Sequence, residues 1–170
     1  MTNKLKLPVS YGNSKLNGRN VMIFNMNAAS DCPADTLNMC PLGPRNGDST
    51  CYAFKAERQY PKTCLPYRRR QEEWWNKNKT QTAFLDAVKK GTKYFRFSES
   101  GDFRTQMDVS QMTAVCYMLG MHKGITCYGY TRRVDLDLST LAKVANVIVT
   151  GKKVKGCSRS HVLELSLIHI

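Results

Sequence analysis

Residues 93–103 read Lys-Tyr-Phe-Arg-Phe-Ser-Glu-Ser-Gly-Asp-Phe, and this stretch shows how the chain is organised. Its first part, Lys93–Ser98, is short and rich in aromatic residues, which predicts a β-strand. The rest, Glu99–Phe103, predicts a tight turn in which Gly101 lets the backbone come close to a ligand. Asp102 in this turn is a candidate to accept a hydrogen bond from an amine or a ribose hydroxyl, or to coordinate a cation. The alternative is that Asp102 caps the helix that follows.

The same alternation of strand and helix continues along the chain. Apolar, β-rich runs predict further strands at Asn20–Asn27, Gly124–Thr131 and Asn146–Thr150. Helical patterns predict helices at Tyr52–Gln59, from Pro66 onward, and at Thr82–Gly91, Val109–Met121 and Leu138–Ala145. This order predicts an α/β fold built of parallel β-α-β units with right-handed crossovers, with the sheet covered on both faces or closed into a barrel.

The residues that follow the predicted strands are expected to meet at one rim, because functional groups in such folds lie at the carboxyl ends of the strands. Those ends are the loop after the first strand, Ser98–Phe103, Thr131–Arg133 and Thr150–Lys152. Tyr130 precedes a pair of guanidinium groups, on Arg132 and Arg133, that suits a carboxylate or a phosphate. Simple solvent exposure would explain the two arginines equally well.

The loop after the first strand carries Cys32, Cys40 and Cys51. Prolines and glycines between these cysteines predict that no helix or strand forms there, so the loop has to be held in another way. Three thiols converging on a metal ion or an iron–sulfur cluster would hold it and leave one coordination position open. A zinc ion would need a fourth ligand, for which Cys64 is the nearest spare thiol. The remaining alternative is that the cysteines only pack.

The composition of the chain indicates its cellular compartment and limits the kinds of partner it can have. An odd count of seven cysteines, in a chain whose start lacks an apolar signal segment, argues against disulfides and for the cytosol. No apolar run approaches the roughly 20 residues of a membrane helix, so no membrane partner is expected. The net charge of +13 fits nucleic acid or a phosphate-bearing small molecule, or a basic surface with no cognate polyanion.

The length of 170 residues suits a single α/β domain, which we place at residues 1–164. The final segment, Leu165–Ile170, looks like the translation of a sequencing-adapter end. We therefore expect that residues 165–170 are foreign to the domain and that the domain itself is truncated at its C-terminus.

An ordered set of motifs resembles the phage "gene product 88" family. The motifs are Tyr11-Gly-Asn-Ser-Lys-Leu16, Phe24-Asn-Met-Asn-Ala28, Cys32-Pro-Ala34, Cys40, Cys51-Tyr-Ala53, Arg96-Phe-Ser-Glu-Ser-Gly-Asp-Phe103 and Cys127-Tyr-Gly-Tyr-Thr-Arg132. The resemblance extends from Tyr11 to Gly151. It implies a protein of a bacteriophage or mobile element that acts in the cytoplasm of its bacterial host.

That family is in turn similar, more distantly, to radical S-adenosylmethionine (SAM) enzymes. The similarity implies a partial (β/α) barrel and a [4Fe–4S] cluster on the three loop cysteines, with SAM on the open iron. It implies that SAM is bound at Ser100, Gly101 and Asp102, with Tyr130 and Arg132 beside it and Arg132 holding an anionic group. The substrate and the catalytic residues stay open. The alternatives are a zinc-stabilised, basic nucleic-acid-binding module without catalysis, and an interaction protein whose thiols are incidental.

Overall fold

The computed structural model describes residues 6–12, 20–46, 50–77, 81–150 and 158–160. Its strands are β1 (Ser10–Tyr11), β2 (Val21–Phe24), β3 (Tyr94–Phe97), β4 (Thr126–Thr131), β5 (Asn146–Thr150) and β6 (Ser158–Ser160). Its helices are α1 (Pro33–Thr36), α2 (Tyr52–Gln59), α3 (Cys64–Lys77), α4 (Gln81–Ala87) and α5 (Gln106–Lys123), with 3-10 turns at Ala29–Asp31, Pro44–Asn46 and Leu141–Lys143.

The strands lie in the sheet in the same order as in the chain, from β1 to β6. β1 runs antiparallel to β2, and each later neighbour pair is parallel. The predicted α/β fold with parallel β-α-β units is therefore confirmed. The predicted partial barrel is not confirmed: β1 and β6 form the two edges of the described sheet, and the sheet is not closed.

The hydrophobic core lies between one face of the sheet and the helices. Phe24 of β2 packs its ring against Trp75 of α3 and Phe84 of α4, at centroid distances of 5.7 and 5.1 Å. Phe97 of β3 extends this face toward β4, where a side chain on Gly129 would begin 2.2 Å from the Phe97 ring. The aromatic rings therefore need the glycine on β4, and together they fix how β2, β3 and β4 sit against the helices.

Some helix boundaries follow the sequence and others do not. The predicted helix Thr82–Gly91 ends at Ala87 as α4, and the predicted helix Val109–Met121 is longer, from Gln106 to Lys123, as α5. The predicted helix Tyr52–Gln59 is confirmed as α2, and the helix expected from Pro66 begins two residues earlier, which leaves this proline in the first turn, where it is tolerated. The predicted helix Leu138–Ala145 is wrong: only the 3-10 turn at 141–143 forms. The connection is short because β5 begins at Asn146. It contains only isolated i→i+4 hydrogen bonds, such as the one that Ala142 N donates to Leu138 O (2.9 Å).

The prediction that the cysteine loop contains no helix is also wrong. Pro33 starts the single-turn helix α1, because a proline at the first helical position needs no hydrogen bond from its nitrogen. The rest of the described loop folds tightly onto this turn. A side chain on Gly43 would lie 1.7 Å from Asp35 Oδ1, so only glycine fits there.

The expected adapter-derived tail, residues 165–170, lies outside the described residues, as does Lys152 at the end of β5. None of the described helices combines the length and the apolar character that crossing a membrane requires.

Candidate functional site

A cavity of about 410 Å³ lies at the carboxyl ends of β3, β4 and β5, beneath the cysteine loop. It brings together the residues that the sequence analysis proposed for the cluster and for SAM. These lining residues are Cys32, Cys40, Cys51, Ser100, Gly101, Asp102, Tyr130 and Arg132. The expected common rim therefore exists, and Thr150 at the end of β5 completes the wall opposite the cysteines' loop.

Two buried asparagines after β2 hold the turn after β3. Asn25 Oδ1 accepts a hydrogen bond from Ser100 N (2.7 Å). Asn27 Oδ1 accepts from Asp102 N (2.8 Å), and Asn27 Nδ2 donates to Asp102 O (2.9 Å). Between these contacts Gly101 has φ +72°, and a Cβ there would lie 1.8 Å from Asn27 Oδ1. The turn thus takes its shape from the neighbouring strand, and a glycine is required for the close approach.

Asp102 is buried in the cavity wall and joins the end of β3 to the end of β4. Its Oδ1 accepts from Thr131 Oγ1 (2.6 Å) and Phe103 N (2.8 Å), and its Oδ2 accepts from Arg132 N (2.8 Å). A carboxylate offers about four acceptor positions, so about one is left for a ligand. Burial raises the pKa of Asp102 to about 6, although these hydrogen bonds act in the opposite direction.

The helix after this turn is capped by another residue, so the alternative role considered for Asp102 is wrong. Thr105 is the N-cap of α5, and its side chain accepts a hydrogen bond from Asp108 N (3.4 Å). Asp102 comes three residues before the cap, too early to reach the free N–H groups of the first turn.

Arg96 of β3 lies on the face of the sheet opposite the aromatic core and is 4% exposed. Its guanidinium lies over the Tyr130 ring (5.5 Å to the centroid), pairs with Glu99 (3.5 Å) and donates to the Tyr52 hydroxyl (3.3 Å). Tyr52 exposes about half of its surface (49%), and its hydroxyl donates a hydrogen bond to the Glu99 carbonyl. Burial raises the pKa of Tyr52 to about 12, although the charge of Arg96 acts in the opposite direction. These contacts fix Tyr52 and Tyr130 in the cavity wall.

The thiols around the cavity differ in their surroundings. Burial raises the pKa of Cys32 to about 12, and the charge of Asp102 adds to this effect. Burial also raises the pKa of Cys40, opposed by the Leu42 N–H group and by the charge of Arg132. Cys40 lies close enough to both Cys32 and Cys51 for their charges to interact. Deprotonating Cys32 and Cys40 is therefore unfavourable unless a positive ion compensates the charge.

The thiols do not gather around a single point. In the described part of the chain, no three histidine, cysteine or carboxylate side chains are grouped as a single metal ion would require. Cys64 is not among the described residues that line the cavity; it lies on a separate groove formed by α3 and β1. The four cysteines named as zinc ligands from the sequence are therefore not brought together.

Sequence reasoning missed several contributors to the site, Asn27 and Arg96 among them. Ser98 has a positive φ of 55°, is buried in the cavity wall, and its Oγ has no hydrogen-bond partner among the described residues. Glu57 of α2 accepts from Ala29 N (2.7 Å) and pairs with buried Arg68 (3.0 Å), which anchors the start of the cysteine loop. A sequence signal for Asn25 exists, because Asn25 and Asn27 lie at the carboxyl end of the first predicted strand, which was expected at the rim.

Comparisons with known proteins place the chain in a family. The family model described as Gene product 88 matches residues 3–153, which is most of the chain. Searches of the curated proteins and of the solved structures found no match. The similarity to radical SAM enzymes remains an inference from the motifs. By the extent of the family match, the protein belongs to the Gene product 88 family.

Proposed function

We propose that this protein binds an iron–sulfur cluster through Cys32, Cys40 and Cys51 and holds SAM against it for radical chemistry on a further substrate. The observation that carries the proposal is the shared cavity. The three thiols open into the same space as the Ser100–Asp102 turn and Arg132. Ligands for a metal cofactor and ligands for a small molecule are thus side by side.

The placement of the thiols favours a cluster over a single ion. Thiolates bind zinc at about 2.3 Å in a tetrahedral arrangement, so their sulfur atoms would lie about 3.8 Å from one another. In a [4Fe–4S] cluster each thiolate binds a different iron, so the sulfur atoms are spread around the cluster. Three thiols around a cavity of about 410 Å³, without a point of convergence among the described residues, suit the second arrangement.

Arg132 and Asp102 suit the two charged groups of an amino acid moiety such as that of SAM. Arg132 forms no ion pair with any described residue, so its guanidinium is available to the carboxylate. The remaining acceptor position of Asp102 suits the ammonium group. The unpartnered Ser98 hydroxyl offers one more hydrogen bond in the same wall.

Apolar side chains form a further part of the wall and would limit the contact of a reactive species with water. They belong to Ala29, Ala34, Leu42 and Ala53. When bound, a cluster of this kind supplies the electron that cleaves SAM. The chain's own part is to bind both groups, orient SAM through Asp102 and Arg132, and exclude water.

The test is to measure iron and acid-labile sulfide in protein purified and reconstituted without oxygen. We expect about four iron and four sulfide per chain, as in a [4Fe–4S] cluster. Cys40→Ala should lose most of this content, whereas Cys64→Ala, a matched variant of a half-buried thiol outside the cavity, should keep it. Full iron loading in Cys40→Ala, with both variants folded by circular dichroism, would sink the proposal.

The same measurement separates the alternatives. A zinc-stabilised module predicts zinc without sulfide and loss of zinc in Cys64→Ala. An interaction protein with incidental thiols predicts a folded chain without either metal. Neither alternative explains why Asp102 and Arg132 line the same cavity as the three thiols.

A further inference from the structure

A second, shallow surface depression shares none of the described lining residues of the cysteine cavity. It has a volume of about 540 Å³ and lies where the start of α3 meets β1. We name it the basic groove and define it by Ser10, Lys62, Thr63, Cys64, Tyr67 and Arg70.

Positive charge around the basic groove is not compensated by nearby carboxylates. Residues 52–77, which include α2 and α3, contain seven Lys+Arg and three Asp+Glu. Each of the three carboxylates already has a cation, in the pairs Glu57–Arg68, Glu72–Arg104 and Glu73–Lys77. Lys62 and Arg70 in the groove, and Arg58 near the end of α2, form no ion pair with any part of the chain that the structure describes. The surface around the groove therefore carries an excess of positive charge, which suits an anionic partner.

Aromatic rings are interleaved with these cations. The Arg70 guanidinium lies over the Tyr67 ring (5.4 Å to the centroid), and the Tyr67 side chain is hydrogen-bonded to Ser10. These contacts hold Arg70 in the groove. Tyr60, between Arg58 and Lys62 in the chain, is 54% exposed. Cations that follow a phosphate backbone, together with an exposed ring on which a base can stack, are typical of sites for single-stranded nucleic acid.

We propose that the basic groove binds single-stranded nucleic acid, with Lys62 and Arg70 on backbone phosphates and Tyr60 stacked on a base. The exposed Tyr60 ring favours a nucleic acid strand over an anionic lipid surface, because unpaired bases offer aromatic faces on which a tyrosine can stack. The groove shares no described lining residue with the cluster site, so this proposal does not depend on the proposed function.

The test is fluorescence anisotropy with a labelled oligothymidine of about 12 nucleotides, within the usual site size for such proteins. The groove variant is Lys62→Gln/Arg70→Gln. The control is Lys123→Gln/Lys143→Gln, which removes the same charge from exposed positions outside the groove. Loss of two phosphate contacts should lower the slope of log K against log salt by about 1.4 and the affinity at 0.1 M salt by about 25-fold. The control should keep the wild-type slope.

Tyr60→Ala tests the stacking part with a matched ring. Tyr117 is equally exposed (54%) on α5, so Tyr117→Ala is the control. Tyr60→Ala should weaken binding about fivefold or more without changing the salt slope, as loss of one stacked base predicts. Tyr117→Ala should bind like the wild type.

Three results would overturn the proposal: no binding by the wild type, equal binding by the groove and control variants, or binding to phosphatidylserine vesicles in place of the oligonucleotide. Circular dichroism shows that the variants are folded. Iron and sulfide are measured on the same samples. A groove variant that keeps its iron but loses the oligonucleotide supports this inference whether or not the SAM chemistry is found.

Discussion

Replacing Gly101 by alanine should damage the candidate site through two separate effects. The first is conformational, because a non-glycine residue at φ +72° costs about 1 kcal/mol or somewhat more. The second is steric. The new Cβ would lie 1.8 Å from Asn27 Oδ1 and 2.6 Å from Asn27 O, so the asparagine has to move.

Moving Asn27 breaks its two buried hydrogen bonds to the backbone of Asp102, of 2.8 and 2.9 Å. Each such loss costs about 1.5 kcal/mol when the groups remain buried. With the conformational effect, the expected loss of unfolding free energy for Gly101→Ala is about 4 kcal/mol. This value comes from one close contact and two named hydrogen bonds, so it can be checked directly.

Gly124→Ala is the matched control. Gly124 has φ +64°, and nothing lies within 4 Å of the Cβ position, so only the conformational effect of about 1 kcal/mol applies. Urea denaturation of both variants, followed by circular dichroism at pH 7, measures the difference. We expect Gly101→Ala to be less stable than Gly124→Ala by about 3 kcal/mol. Equal destabilisation within about 1 kcal/mol would refute the idea that Asn27 fixes the turn.

Two further predictions concern buried charges. Arg68→Met leaves Glu57 buried without its 3.0 Å partner and should lower the free energy of unfolding by about 3–5 kcal/mol. Arg69→Met breaks the exposed pair with Asp31 and should lower it by under about 1 kcal/mol. Equal losses in urea denaturation would contradict this prediction. For Asp102, the folded pKa of about 6 exceeds the ordinary 3.8, so this carboxyl contributes stability at low pH that is lost as the pH rises from about 4 to 6. Asp102→Asn should therefore gain about 2 kcal/mol relative to the wild type between pH 4 and pH 6. A constant difference between the two proteins would show that the pKa of this carboxyl is not raised.

The sequence predicted the elements whose signals are local. α2 was expected at Tyr52–Gln59 and β5 at Asn146–Thr150, with the same bounds in the structure. The common rim was also expected, because the carboxyl ends of parallel strands meet whatever their detailed packing. The prediction of a helix at Leu138–Ala145 was wrong because the next strand begins too soon for a full helix to form. The spacing of apolar residues alone does not reveal where that strand begins.

The contacts that shape the site could not be predicted, because they join distant parts of the chain. Asn27 meets Asp102 across 75 residues, which requires knowing that β2 and β3 are neighbours. Glu57 is charged and would be placed on the surface by its residue type, but Arg68 and the Ala29 N–H group satisfy it in the interior. A buried charge of this kind becomes visible only when the partners are known.

The electron paramagnetic resonance spectrum of the dithionite-reduced protein, recorded before and after SAM is added, tests the central claim most directly. If Cys32, Cys40 and Cys51 hold a cluster with an open iron beside Asp102 and Arg132, the reduced protein gives a cluster signal at low temperature. Its g values then change when SAM binds. The absence of a signal from iron-loaded protein, or a signal that SAM leaves unchanged, would contradict the account.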